Sequence, residues 1–386
     1  MRVLLICSRF PWPPRRGDQL RALQCAEALA TRHEVRLLVP EPPPGHCTPS
    51  GLELEVSLYS PRRTPLALAS LQALTRGQPL QNAFFAFIEL DERIRQLAPQ
   101  ADLVILQLAR LAAFLPAVSG RPVVVDLIDS LSLGFLRRAE RDRWWLLPLL
   151  RFEARRLARC EERLVRQCGA ALVVAERDRE YLASRLPASL VSRVRTVPIA
   201  MSLADPAVGP ASEETVIFTG NLGYFVNEDA LRWFVSEVWP RLRAVRRGLR
   251  LICAGSRPSM RLRRQLARAG ASLVVDPSDL TRVLASATVA VAPLQCGSGV
   301  PLKVLEAWAV GVPVVASNWA AAGVEGEGGR DLMVASSADS WVAAICDLLD
   351  RPEQRRKLAA SARERLRQHY SPELVCSRFL ESVDPR

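Results

Sequence analysis

The chain has 386 residues, of which 49% are hydrophobic, 24% charged and 6% aromatic. Its length suggests two or three domains, and its composition excludes a largely disordered or fibrous chain. Nine scattered cysteines without a Cys-x-x-Cys pair argue against a disulfide framework or a zinc knuckle. The three histidines, His33, His46 and His369, show no His-x-x-x-His spacing, so no metal site is expected. The net charge is +12, and of 52 basic residues only Lys303 and Lys357 are lysines. Such a balance points to anionic partners: nucleic acid, anionic lipid or small anionic substrates. No zinc-finger spacing, RNP-like aromatic motif or clear helix-turn-helix is present, which argues against nucleic acid. The longest apolar runs, such as Val283–Leu294, fall short of the ~18–20 residues of a spanning helix. The opening run Val3–Cys7 is broken at once by Arg9–Pro14, so it reads as a buried strand rather than a signal peptide, and the protein is expected in the cytoplasm.

In chain order, Val3–Cys7 predicts a first strand, Phe10–Gly17 a Pro/Gly loop, and Asp18 the cap of a helix reaching about Thr31 with Leu20, Leu23, Ala26 and Leu29 on one face. His33–Val39, Asp102–Leu106, Pro122–Asp126 and Ala170–Val174 predict further strands, with a long helix over Leu147–Gln167. Asp126 is expected to bond local backbone at its strand end. The second half repeats the pattern. Strands are expected over Glu214–Phe218, Leu249–Ala254, Ser272–Val275, Val289–Pro293 and Pro313–Ser317. Helices are expected over Asn227–Trp239, Arg261–Ala269, Ser278–Ala287 and Pro301–Ala309. Apolar strands alternating with helices imply parallel sheets covered on both faces, hence an α/β protein of two doubly wound, Rossmann-like domains facing a cleft. The expected division is residues 1–198, a linker over 199–213, a second domain over 214–370, and a terminal segment, 371–386, that packs back on the first domain.

The densest chemical signal is Pro293–Ala307, where a strand ends and Gly297-Ser298-Gly299 leads into a helix. Glycines let backbone amides approach phosphate oxygens, and a helix N-terminus carries roughly half a positive charge. Lys303 lies one turn in, within reach of the same anion. Glu306 follows at i+3, where a carboxylate accepts from ribose hydroxyls. The competing reading is a tight turn followed by a solvated Lys/Glu pair; the rarity of lysine in this chain favours the phosphate-sugar site. The loop does not match a P-loop, and no dinucleotide fingerprint with its acidic partner occurs.

The sequence resembles the GT-B glycosyltransferases of family 4, retaining nucleotide-sugar transferases, and is most similar to bacterial sugar transferases associated with exopolysaccharide and PEP-CTERM systems. Four ordered segments carry the resemblance: Pro11–Arg21, Asp126–Ser132, Phe218–Asn221 with Asn227 and Trp233-Phe234, and Gly297–Glu306 with Ala316 beyond. The resemblance implies that the second domain binds the nucleotide-sugar and the first the acceptor. It makes Gly17, Gly220, Asn221, Gly297, Ser298, Gly299, Lys303 and Glu306 donor-binding residues. Glu306 matches the second glutamate of the family's Glu-x7-Glu pattern, the one that holds the ribose. Ser298 stands where that pattern has its first glutamate, which touches the donor sugar. The Arg and Lys that often bind the diphosphate early in the second domain are absent, and Asn221 and Asn227 stand instead. In the family, the loop of Gly17 approaches the donor diphosphate from across the cleft.

Asp129 follows a strand where relatives often carry a histidine near the transferring sugar. It reads either as a catalytic carboxylate that orients a sugar or acceptor hydroxyl, or as a helix cap before Leu131. Lys303 is the second candidate catalytic group, stabilising the leaving diphosphate. Retaining transfer from a nucleotide-diphosphate sugar, UDP- or GDP-linked, to a glycan or lipid-linked acceptor in cell-surface polysaccharide synthesis is therefore the expected function, with no metal and no other cofactor. A GT-B-like sugar-nucleotide epimerase and a non-catalytic sugar-nucleotide-binding scaffold are the alternatives. Arg137-Arg138, Arg141, Arg143, Trp144-Trp145, Arg151, Arg155-Arg156 and Arg159 form a basic, aromatic region diluted by Glu140, Asp142, Glu153, Glu161 and Glu162. It reads either as a solvated helix or as a peripheral dock on an anionic membrane, on the inner face of the plasma membrane.

Overall fold

The computed structural model describes residues 1–49, 51, 54–204 and 214–384. They form two units, Met1–Ile199 together with the chain from Val375 on, and Ala200–Leu374. Residues 205–213 of the expected linker and the last two of the expected terminal segment lie outside the described residues.

The first unit is built on seven strands: β1 (Arg2–Ile6), β2 (Glu34–Pro40), β3 (Glu55–Tyr59), β4 (Leu103–Gln107), β5 (Val123–Ile128), β6 (Ala170–Val173) and β7 (Val194–Thr196). All pair in parallel, in the order β3-β2-β1-β4-β5-β6-β7. Every residue of β4, β5 and β6 is buried, as expected of strands covered on both faces. Leu4, Ile6, Val104, Leu106, Val125 and Leu127 meet Leu157 and Leu164 of the 147–167 helix in one core. The chain adds β2 and β3 on one side of β1, then returns to its other side with β4, so the strand order reverses between β1 and β4. Loops at such a point carry ligand sites in open α/β sheets.

Two sequence expectations fail here. Asp18 is not a helix cap: the helix opens at Gly17 behind Arg16, which makes no side-chain cap bond. Asp18 sits in its first turn and pairs with Arg9 from the preceding loop. Asp126 does not use its carboxylate on local backbone. It is fully buried and accepts from Arg21 Nε at 3.0 Å, while Arg21 Nη1 donates to the Pro198 carbonyl at 2.7 Å. The Arg21 guanidinium also lies 5.4 Å from the Phe379 ring centroid. One buried ion pair thus ties the first helix, β5, the end of this unit's main segment and the terminal 372–383 helix. Arg195 adds a bond to the Ser382 carbonyl at 3.0 Å.

The second unit carries β8 (Thr215–Asn221), β9 (Arg250–Ser256), β10 (Ser272–Val275), β11 (Val289–Ala292), β12 (Val314–Ala316) and β13 (Met333–Val334). These are parallel, in the order β10-β9-β8-β11-β12-β13, so the reversal falls between β8 and β11. The expected helix over Asn227–Trp239 runs from Phe225 to Trp233, widens into a π turn over Phe234–Val238, and continues over Trp239–Val245. Phe234 in that turn meets Trp341 edge-on at 5.9 Å, and both are fully buried.

Candidate functional site

In the second unit, the chemistry-bearing residues gather where the strand order reverses. Gly220 and Asn221 end β8, and Gly297-Ser298-Gly299 follow β11. Gly220 lies at φ +138° and pairs with Gly255 of β9, at φ +149°. A Cβ on Gly255 would lie 1.7 Å from the Gly220 carbonyl oxygen, so only glycine fits. A Cβ on Gly220 would come within 3.1 Å of Asn227 Nδ2 and 3.2 Å of Lys303 Nζ. The two strand ends therefore approach closely enough to seat Asn227 and Lys303 directly over backbone.

Lys303 lies in the first turn of the helix Leu302–Val310 and is 8% exposed. Its Nζ donates to Asn227 Oδ1 at 2.6 Å and sits 4.3 Å from the Phe218 ring centroid. Asn227 is held in turn, because its Nδ2 donates to the Asn221 carbonyl at 2.9 Å. Burial pushes the Lys303 ammonium down to about 7, and the Glu306 charge opposes that fall. Burial raises the Glu306 carboxyl, against the pull of Lys303. Gly297, at φ +120°, lies against Val226, the neighbour of Asn227, where a Cβ would come 3.3 Å from Val226 Cγ1. Gly299 is also left-handed, at φ +68°. Gly220, Asn221, Asn227 and Lys303 thus lie together, with Gly297 against the neighbour of Asn227 and Glu306 near enough to Lys303 to act on its charge. Sequence reasoning missed Gly255 and named Phe218 only within a segment of the resemblance; the Gly220/Gly255 pairing becomes visible only once β8 and β9 are known to be neighbours.

The first unit holds Gly17, at the head of its first helix, and Asp129, on the loop after a strand. Gly17 opens the helix Gly17–Ala30. Asp129 follows β5 directly, next to Ile128, a β-branched residue held at φ +66°. It is not the helix cap. Ser130 takes that role, accepting from Leu133 N–H at 3.3 Å. Beneath Asp129 lies a carboxylate that sequence reasoning counted only among the diluting acids of the basic region. Glu161, fully buried on the long helix, accepts from Ser132 N–H at 3.1 Å, Ser132 Oγ at 2.5 Å and Ser130 Oγ at 3.2 Å. Burial pushes the Glu161 carboxyl up to about 7; the three hydrogen bonds oppose this and the charge of Asp129 adds to it. Arg177, half-buried and lowered by burial, feels both Asp178 and Asp129. Among the described residues, no group of His, Cys, Asp and Glu side chains is arranged to hold a metal ion, and no helix is long and apolar enough to cross a membrane.

Comparison with known proteins bears on this arrangement. Residues 213–351 match the family described as "Glycosyl transferases group 1". No curated protein sequence matches the chain. Among solved structures, sucrose-phosphate synthase from Thermosynechococcus elongatus superposes with a TM-score of 0.75 at 15% identity, covering 99% of this chain and 98% of that one. Anabaena Alr3699/HepE, solved with UDP-glucose, gives 0.68 at 13% identity over 99% of both chains. OtsA gives 0.69 at 14% identity over the whole of both. Residues 213–351, the stretch that holds the glycine loop and Lys303, are thus similar to the group 1 glycosyl transferases, and the chain as a whole has the fold of the GT-B glycosyltransferases.

Proposed function

We propose that the protein is a retaining glycosyltransferase that moves a sugar from a nucleotide-diphosphate sugar to a glycan or lipid-linked acceptor in cell-surface polysaccharide synthesis. The observation that carries this reading is the Lys303 ammonium, buried beside Gly220 and Asn227 at the head of the helix that follows the glycine loop. A buried cation with a depressed pKa gains from an anion placed against it, and the diphosphate of a sugar nucleotide supplies one.

In this reading, the charge of Lys303 and the helix N-terminus stabilise the diphosphate as the bond to the anomeric carbon breaks. Glu306 accepts from the ribose hydroxyls. The acceptor oxygen forms the new bond on the face the diphosphate leaves, and its proton passes to a phosphate oxygen of the leaving group. Asp129, in the first domain, orients a sugar or acceptor hydroxyl. Lys303, the loop and the helix end supply the positive charge that a metal ion provides elsewhere, so transfer proceeds without one. The fold's likeness to HepE, solved with UDP and UDP-glucose, supports UDP-sugars as the first donors to test, with GDP-sugars beside them. The basic region around Trp144-Trp145 supports peripheral work at a membrane on a lipid-linked acceptor.

A donor panel turned over with and without membrane extract tests the reading. Transfer that depends on extract and withstands EDTA supports it. Donor conversion with no acceptor points to an epimerase, and binding without turnover to a scaffold, the outcome that Ser298 in place of a donor-touching glutamate would favour. Activity abolished by EDTA and restored by magnesium would refute the metal-free mechanism.

A further inference from the structure

The first domain exposes thirteen large apolar side chains, and eight of them fall in two chain segments. The helix Leu66–Thr75 has no charged residue and buries only Ala69 and Ala73. Leu66, Leu68, Leu71 and Leu74 all face outward, Leu71 at 58% exposure. Farther along the chain, Trp144, at 80% exposure, Trp145, Leu149 and Phe152 are also exposed. Trp144 and Trp145 lie in a 3-10 turn over Trp144–Leu146 that leads into the helix Leu147–Gln167, where positions 149, 152 and 156 fall at helical spacing. The last of them, Arg156, joins the two segments. It donates to the Ala73, Leu74 and Gln78 carbonyls at 2.6, 3.2 and 2.7 Å, and its guanidinium lies 5.1 Å from the Phe152 ring centroid. Glu153 beside it accepts from the backbone N–H of Leu80 and Gln81. The leucine helix and the aromatic stripe are therefore neighbours on one fixed piece of the domain.

The charges within these two segments have one sign, and acids flank them: Glu55, Glu89, the exposed Glu140, and Asp142, which pairs with Arg138. From Val56 to Ile88 the chain has no acidic residue and three arginines, Arg62, Arg63 and Arg76, all exposed. From Arg143 to Phe152 there is again no acid, and Arg143 and Arg151 are exposed. The Arg143 guanidinium lies 5.2 Å from the Trp145 ring centroid.

We propose that this joint surface, the leucine face of helix 66–75 beside the Trp144–Phe152 stripe, seats the first domain on an anionic phospholipid bilayer. The proposal rests on the peripheral-membrane reading above and gives it a surface. Leucines enter the acyl boundary, tryptophans sit at headgroup level, and the arginine rim meets the lipid phosphates. A second copy of this chain is the poorer occupant, because pairing the face with itself would bring together two pairs of segments whose own charges are all arginines. Apolar patches of this extent on soluble chains mark interaction sites, and here charge complementarity selects the bilayer.

Flotation of the full chain with vesicles of equal parts phosphatidylcholine and phosphatidylglycerol, compared with phosphatidylcholine alone, tests this. The wild type should float with the anionic vesicles only, and high salt should release it. Leu68→Ser with Leu71→Ser should lower partitioning roughly a hundredfold, since each removes several buried carbons. Trp144→Ala with Trp145→Ala should also lower it. Circular dichroism and UDP binding by the second domain should match the wild type in both variants, which separates lost docking from lost folding. Unchanged flotation of the leucine variant overturns the proposal, as does equal binding to neutral vesicles, or a vesicle-free dimer that the leucine substitutions dissolve. If flotation fails while UDP-sugar binding and transfer to a soluble acceptor persist, the docking surface falls and the glycosyltransferase reading stands.

Discussion

If Lys303 meets the donor diphosphate as proposed, donor affinity should fall as pH rises above neutrality. Its ammonium titrates near 7 in the free site because burial removes it from water. A bound diphosphate restores the charge, so above that pH binding must take up a proton. Raising the pH from about 7 to about 8.5 takes the protonated fraction from half to a few per cent, and the dissociation constant should rise about fifteenfold, or ~1.6 kcal/mol. A sugar nucleotide carries no phosphate proton that titrates in this window, so the slope belongs to the protein. Calorimetric titration of UDP-glucose and GDP-mannose in buffers of different ionisation enthalpy measures both the slope and the proton taken up. Lys303→Met keeps the side-chain volume and removes the charge; it should bind weakly at every pH, with no slope. A flat wild-type profile, or a slope that survives in Lys303→Met, would refute the assignment of Lys303 to the diphosphate.

Glu306→Ala should weaken nucleotide binding about tenfold or more, the value of a charged hydrogen bond to ribose; unchanged affinity in the same titration removes Glu306 from the site. Gly255→Ala drives a methyl into the Gly220 carbonyl and should abolish nucleotide binding, and a structure of that variant with β8 and β9 undisturbed would contradict the close-approach argument. Arg21→Met strands Asp126 as an unpaired buried charge and should cost about 3–5 kcal/mol in urea unfolding, whereas Arg21→Met with Asp126→Leu should recover most of it. Glu161 titrates near 7 when folded and near 4.5 when unfolded, so the folded state holds the extra proton between those values and stability falls as pH rises through them. Relative to Glu161→Gln, the wild type should lose up to about 3 kcal/mol between pH 5 and pH 8, and a constant difference in melting between the two proteins would show that Glu161 does not titrate there.

The alternation of buried strands and helices was legible because a parallel strand covered on both faces reads as an unbroken apolar run, as β4 and β5 do. The strands that escaped are edge or near-edge pieces. β3 is half-exposed, β7 has three residues, and β13 has two, so none carries a run long enough to mark it. In the second domain, the glycine loop with its rare lysine was legible because its parts are contiguous and one helical turn fixes the spacing of Lys303 and Glu306. Asn227 was visible only as a substitute for missing cations. Its bond to Lys303 spans 76 positions in the chain, and no local pattern encodes it.

In the first domain, Asp126, expected to bond local backbone, and Glu161, counted only among diluting acids, were misread for the same reason. The partner of a carboxylate is not written in its sequence neighbourhood. Whether the carboxylate is buried depends on what the fold places against it: Arg21 for Asp126, from 105 positions away, and two serine hydroxyls with a backbone amide for Glu161. The two solutions differ in kind. A full cation answers Asp126, and the resulting pair joins segments that the chain keeps far apart. Only neutral donors answer Glu161, so its proton stays labile near neutrality, beneath the loop that carries Asp129. A proton on Glu161 spares Asp129 a second negative charge close by. In the proposed mechanism, where Asp129 orients a hydroxyl, a change in the charge of Glu161 changes the field at that half-buried carboxylate, so a pH profile of transfer should carry the titration of Glu161.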